Sequence, residues 1–213
     1  MKSDKENLLL YAVTDRHWTG RETLRQQVEA ALRGGVTFVQ LREKNMEHDA
    51  FRKEALEIRD LCRAYRVPFV LDDDVSLAME VDADGIHVGQ SDMEAGDVRA
   101  LIGPDRILGV SACTVEEAVA AEQRGADYLG VGAVFPTGSK DDARPVTRET
   151  LRKICEAVTI PVIAIGGITE QNVMELAGSG ICGVAVISAI FGQPEIESAT
   201  KRLKAAVSEM VSR

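Results

Sequence analysis

Several large classes of protein are excluded by what this 213-residue sequence lacks. Its four cysteines, Cys62, Cys113, Cys155 and Cys182, lie far apart with no CxxC pair and no histidine at ligand spacing, which speaks against zinc and against a disulfide framework. Reduced, mostly buried thiols are expected. There is no excess of basic charge: 34 acidic and 25 basic residues give a formal net charge of -9, a field that disfavours nucleic acid and anionic membranes as partners. No apolar run reaches the length of a bilayer span. The leading MKSDKENLLLYAV is too short in apolar residues for a signal-peptide core, so a cytoplasmic location is expected. A Walker loop, a nucleophile elbow and a Ser/His/Asp set are missing as well.

What is present is a repeating alternation. With 45% hydrophobic and 28% charged residues the chain has a globular profile. Eight short apolar runs recur along it: LLLYAV (8 to 13), VTFVQL (36 to 41), PFVL (68 to 71), GIHV (85 to 88), RILGV (106 to 110), YLGVGAV (128 to 134), PVIAI (161 to 165) and GVAVI (183 to 187). Between them, ETLRQQVEAALRGG, DAFRKEALEIRDLCRAY, TVEEAVAAEQRGA and TEQNVMELAGSG repeat apolar residues every three or four positions, and several stop at glycine. Runs that are apolar on both faces suit a parallel sheet covered by helices. Eight strand-helix units in this length predict a single-domain α/β (β/α)₈ TIM barrel over residues 1 to 213, with its core at about 8 to 210. A doubly wound open sheet is the alternative. The segment PEIESATKRLKAAVSEMVSR reads as the last barrel helix.

Barrel active sites lie at the C-terminal strand ends, and nearly every strand candidate ends in chemistry. After the second, QLREK places Gln40, Arg42 and Lys44 on one face of an extended segment, which suits an anion clamp with the neutral amide deepest, while Arg42, Glu43 and Lys44 also suit a solvated loop start. The third ends in three adjacent carboxylates, Asp72, Asp73 and Asp74, which suits an acidic turn as well as a site. The fourth ends HVGQSD, and neighbouring strand ends bring Asp73 and Asp92 together, the usual means of holding Mg²⁺ alongside waters and a substrate phosphate. His87 within the fourth reads as a hydrogen-bonded interior residue. The fifth ends at Ser111, which suits a helix cap or a ligand contact. The sixth is followed by the polar loop FPTGSKDDARP, residues 135 to 145, where Thr137, Gly138, Ser139 and Lys140 supply a glycine, two hydroxyls and a cation, fit for phosphate or for a lid, though the composition equally suits a disordered linker. The seventh and eighth end IGGIT and VISAI, where close backbone N–H groups suit the phosphate site that recurs at this position in barrels; Gly166 and Gly167 also suit tight packing. One magnesium site, one basic clamp and a separate phosphate nest point to two phosphorylated small-molecule substrates.

Taken together, YAVTDR, QLREK, DD followed after thirteen residues by HVGQSD, GVS, FPTGSK, IPVIAIGGI and GVAVISAI resemble the thiamine-phosphate synthase family, from about residue 10 to 192. The resemblance implies a cytoplasmic transferase of thiamine biosynthesis, with one Mg²⁺ per subunit on Asp73 and Asp92. It implies that Gln40, Leu41, Arg42, Glu43, Lys44, Asp72, Ser111 and Lys140 hold a pyrimidine diphosphate. Thr137, Gly138, Ser139, Gly167, Ile187 and Ser188 seat a thiazole phosphate. The resemblance further implies that Arg42, Lys44, Ser111 and Lys140 form the catalytic set and that no general base is required. The sequence is compatible with a homo-oligomer. It departs from the family at the acidic triplet, where Asn-Asp-Arg is usual, so an amide donor and a cation are both replaced by carboxylates. A thiazole tautomerase of the same fold, a sugar-phosphate barrel enzyme and a non-catalytic phosphate-binding barrel remain as alternatives.

Overall fold

The computed structural model describes residues 5–20, 22–138 and 144–213. Eight parallel strands, β1 (Leu10–Val13), β2 (Phe38–Leu41), β3 (Phe69–Asp72), β4 (Gly85–Val88), β5 (Ile107–Ala112), β6 (Tyr128–Val131), β7 (Val162–Ile165) and β8 (Gly183–Val186), form one closed barrel in chain order, with β8 pairing back onto β1. Around them run α1 (Leu24–Gly34), α2 (His48–Tyr65), α3 (Val75–Glu80), α4 (Ala95–Ile102), α5 (Val115–Gln123), α6 (Arg148–Ala157), the short α7 (Ser188–Phe191) and α8 (Ile196–Val211). All eight expected strands form, each within a few residues of its apolar run.

The helices start and stop where the sequence provides caps. Thr23 and Gln26 form a reciprocal capping box at the start of α1, and Gly35 ends it in the left-handed conformation at φ 96°. One expected helix is largely absent: residues 169 to 180 yield only a single 3-10 turn, Val173–Leu176. Here the Asn172 side chain accepts from the Thr169 N–H (2.8 Å) and donates to the Gly167 carbonyl (2.9 Å), offering the backbone an alternative to helix. Gly178 and Gly180, both at positive φ, prevent the pattern from propagating.

Strand side chains alternate between two apolar layers. Tyr11, Phe38, Val70, Ile107, Tyr128 and Ile163 fill the barrel interior, while residues such as Val39, Leu71, Ile86, Leu108 and Leu129 pack outward against the helices. That double burial explains why the strands read as continuous apolar runs.

The two ends of the barrel differ in chemistry. At the N-terminal end, acidic side chains are consumed as staples: Asp84 accepts from the Phe69 N–H (2.8 Å) and Glu122 from those of Thr159 and Ile160. Asp127 accepts from the Leu108 N–H and pairs with Arg99, whose other N–H groups hold the carbonyls of Gly103, Arg106 and Gly125. At the C-terminal end the polar side chains line a cavity instead.

Candidate active site

The C-terminal mouth encloses a cavity of about 540 Å³, within the range of small-molecule sites. Its wall brings together Gln40, Arg42, Lys44, Asp72, Asp73, Asp92, Ser111, Thr137, Gly167, Ile187 and Ser188, from seven strand ends and the connections after them. The side chain of Leu41 does not reach it, being buried in the outer shell. Glu43 is likewise turned away and engaged by Arg16, whose Nε donates to both carboxylate oxygens. Gly138 does not line the cavity, and Ser139 and Lys140 lie outside the described residues.

The basic clamp is built by the alternation of β2 and braced by the loop after β1. Thr14, fully buried, accepts the Arg42 backbone N–H at 3.0 Å. The Arg42 guanidinium lies between two carboxylates, with Nη1 3.6 Å from Asp15 and Nε 3.6 Å from Asp72. Both separations attract but are too long for hydrogen bonds. Arg42 Nε is buried and makes no hydrogen bond to the described residues. A buried charged donor without an acceptor is unfavourable, and an anionic oxygen in this cavity is the acceptor its chemistry fits.

The acidic triplet divides into three separate tasks. Asp72, the last residue of β3, faces Arg42. Asp73 adopts φ 63°, a left-handed conformation unusual outside glycine, and lines the cavity. Asp74 caps α3 by accepting from the Leu77 N–H at 2.9 Å. Across the mouth, Asp92 accepts from the Gly89 N–H at 2.7 Å with one carboxylate oxygen.

The aspartate pair fits a magnesium ion in its donor chemistry. Mg²⁺ takes oxygen ligands, usually one or two carboxylates, and keeps the remaining positions for water and substrate phosphate. Among the described residues no cluster of three or more His, Cys, Asp or Glu side chains could form a cage for a metal. Asp73 and Asp92 share one cavity with Arg42 Nε, which makes no hydrogen bond to the described residues, so an anion and a cation would meet there.

The opposite side of the mouth is mostly backbone. Gly166 and Gly167 adopt φ 98° and 66°, and a Cβ on Gly167 would lie 2.3 Å from the Pro136 carbonyl oxygen. The double glycine therefore does serve packing, letting the loop after β6 cross against it. The Val134 and Phe135 N–H groups bond the carbonyls of Ile165 and Gly166 there. Ile187 and Ser188 begin α7, whose first N–H groups lack helical partners.

Four contributors were not singled out in the sequence. Tyr11 and Tyr128 read only as apolar strand residues, yet their hydroxyls meet 2.9 Å apart in the barrel interior. Both phenols are raised well above the ordinary tyrosine pKa, mainly by burial, and stay protonated. Arg144 and Glu117 pair at 2.7 Å on the cavity wall, and Glu117 also accepts from the Cys113 N–H. Alternation along β1 and β6 could have signalled the tyrosines; nothing local signals the Arg144–Glu117 pair. None of the four cysteines is joined in a disulfide, and Cys62 and Cys182 are buried; burial pushes Cys62 up to about 12 and Cys155 and Cys182 up to about 11.

This fold and this mouth define a (β/α)₈ barrel with a site suited to phosphorylated ligands. Residues 10–190 match the family model for thiamine monophosphate synthase. A thiamine-phosphate synthase of Ruminiclostridium cellulolyticum is 48% identical over 95% of this chain and 96% of its own, and one of Clostridium tetani is 48% identical over 91% and 93%. A solved thiamine phosphate pyrophosphorylase of Pyrococcus furiosus superposes with a TM-score of 0.90 at 42% identity, covering 97% of this chain and 98% of that one. The chain belongs to the thiamine-phosphate synthase family.

Proposed function

We propose that this chain joins 4-amino-2-methyl-5-(diphosphooxymethyl)pyrimidine to 4-methyl-5-(2-phosphoethyl)thiazole, forming thiamine monophosphate and releasing pyrophosphate. The observation that carries this reading is the convergence of Arg42, Lys44, Asp73, Asp92 and Ser111 on one side of a single cavity with Gly167, Ile187 and Ser188 on the other. Two anionic groups can be held there with their rings between them.

In the reaction, the bond from the methylene carbon to the diphosphate oxygen breaks, and its electron pair leaves with pyrophosphate. The electron-rich aminopyrimidine ring stabilises the methylene cation. The thiazole ring nitrogen then forms the new C–N bond with a lone pair that carries no proton. No base is needed. Arg42 and Lys44 hold the diphosphate and share its developing charge, Ser111 donates a hydrogen bond to it, and Lys140 joins them by the family resemblance. Asp73 and Asp92 would hold magnesium, which would supply further neutralisation of the leaving group. The α7 first turn, Thr137 and Gly167 seat the thiazole phosphate, with Ser139 beside them by the same resemblance, and so align the nitrogen for attack.

Incubation with both substrates and Mg²⁺ should release pyrophosphate and thiamine monophosphate in equal amounts, and chelation should abolish release. Pyrophosphate release that persists undiminished under chelation would remove the metal from the account. No pyrophosphate release with both substrates and Mg²⁺ present would remove the reaction itself. Conversion of the thiazole alone, without pyrophosphate, would mark a tautomerase.

A further inference from the structure

Five polar side chains from five strands form one continuous hydrogen-bonded line across the barrel interior. Gln40 Nε2 donates to the Tyr11 hydroxyl (3.0 Å), and the Tyr11 and Tyr128 hydroxyls are 2.9 Å apart. The Tyr128 hydroxyl is 2.9 Å from His87 Nδ1, and His87 Nε2 is 2.9 Å from Ser111 Oγ. Gln40, Tyr11, Tyr128 and His87 are buried, though Gln40, Tyr11 and His87 also border the cavity, and Ser111, partly exposed on the cavity wall, is the member most open to the ligand space. The line is accommodated by the residues around it: a Cβ on Gly109 would fall 2.2 Å from the Tyr128 ring and 2.5 Å from His87 Nδ1.

A Ser–His contact at this distance is the geometry of a nucleophile beside its base, in which serine donates to imidazole. The other end of the line argues for the opposite sense. Tyr11 accepts from Gln40, so its own proton is free to go to Tyr128. Tyr128 then donates to His87 Nδ1, which leaves the His87 proton on Nε2, aimed at Ser111. In the reverse sense Tyr11 would accept from both Gln40 and Tyr128, and its proton would have no acceptor among the described residues. A buried donor left unpaired is strongly unfavourable. Both phenols keep their protons, so the line is fully supplied.

We infer that Tyr11, Tyr128 and His87 are positioning residues that fix the direction of this line, so that Ser111 accepts from His87 and donates its own proton into the cavity. His87 is then neither a base nor a partner of a nucleophilic serine. Each N–H and O–H dipole along the line points its positive end toward Ser111, and such chains strengthen cooperatively. The inference rests on the proposed reaction only in that the receiving group is the departing diphosphate.

The test is the imidazole tautomer of His87 in the ligand-free protein near neutral pH, read by long-range proton–nitrogen correlation and assigned by its loss in His87→Gln. The wild type is expected as the Nε2–H form. In Tyr128→Phe the Nδ1 nitrogen loses its donor and the two tautomers should mix. The same variant should lose roughly tenfold in kcat/KM for the pyrimidine diphosphate, with the KM for the thiazole phosphate unchanged. Ser111→Ala should then cost less in that background than in the wild type. An Nδ1–H wild type, an unchanged tautomer in Tyr128→Phe, or fully additive losses would overturn the inference. If Tyr128→Phe does not fold, the wild-type tautomer alone decides. The expected tautomer in a protein that makes no thiamine monophosphate would refute the reaction and leave the directed line standing.

Discussion

At the scale of single residues, the site turns on how carboxylates and cations share a small space. Asp72 lies 3.6 Å from Arg42 Nε, where an asparagine would offer a donor to the diphosphate instead of a competing anion. Asp72→Asn should therefore lower the KM for the pyrimidine diphosphate, roughly tenfold, or relax the dependence on Mg²⁺. Steady-state kinetics across a magnesium titration measure both, and identical curves for parent and variant would contradict the competition. The sequence raised the triplet as a question. Its resolution needed backbone geometry: only the fold shows that Asp74 is spent on the Leu77 N–H while Asp73 turns inward at positive φ. Gln40, Arg42 and Lys44 were legible because alternation along a strand is a local rule. The same rule set Leu41 and Glu43 on the other face, and the structure buries one under helices and ties the other to Arg16.

At the scale of elements, the loop after β6 is held at its base by two crossed backbone bonds, Ala133 N–H to the Arg144 carbonyl and Val146 N–H to the Ala133 carbonyl. The Arg144 side chain is bonded to Glu117 of α5, which also anchors the Cys113 N–H at the end of β5. Burial pushes the Glu117 carboxyl up, but the Arg144 and Cys113 hydrogen bonds outweigh it and hold its pKa below the usual range. A lowered folded-state pKa contributes stability above the unfolded value, and that contribution is lost as pH falls through the folded one. Glu117→Gln should thus be less stable than the parent at neutral pH, by up to about 1 kcal/mol, with the gap closing in acid. Urea unfolding at both pH values tests this, and a gap that widens in acid would contradict it. Such a pair was invisible in the sequence because 27 residues separate its members and neither position has a local pattern. The failed helix at 169 to 180 has a local cause that periodicity overlooks: Asn172 folds back on the turn, and two glycines follow.

At the scale of the whole molecule, the barrel separates stability from chemistry. Asp84, Glu122 and Asp127 are spent on backbone N–H groups at one end, while Asp72, Asp73 and Asp92 at the other face ligand space. Strand count and order were legible because each strand-helix unit repeats the same apolar pattern. The interior line was not, because Tyr11 and Tyr128 stand 117 residues apart and meet only across a closed barrel. Gly109→Ala tests that closure: with a Cβ only 2.2 Å from the Tyr128 ring, it should destabilise the protein by roughly 1–3 kcal/mol, whereas Gly138→Ala, whose Cβ would meet no atom of the described residues within 4 Å, should be close to neutral. Thermal unfolding compares the two, and equal shifts would contradict the packing described.

The most direct test of the central claim is a crystal structure with magnesium and pyrophosphate. The account predicts the cation between Asp73 and Asp92, with pyrophosphate oxygens within hydrogen-bond distance of Arg42 Nε and Ser111 Oγ. Pyrophosphate bound away from these residues, or a cation coordinated elsewhere, would contradict it.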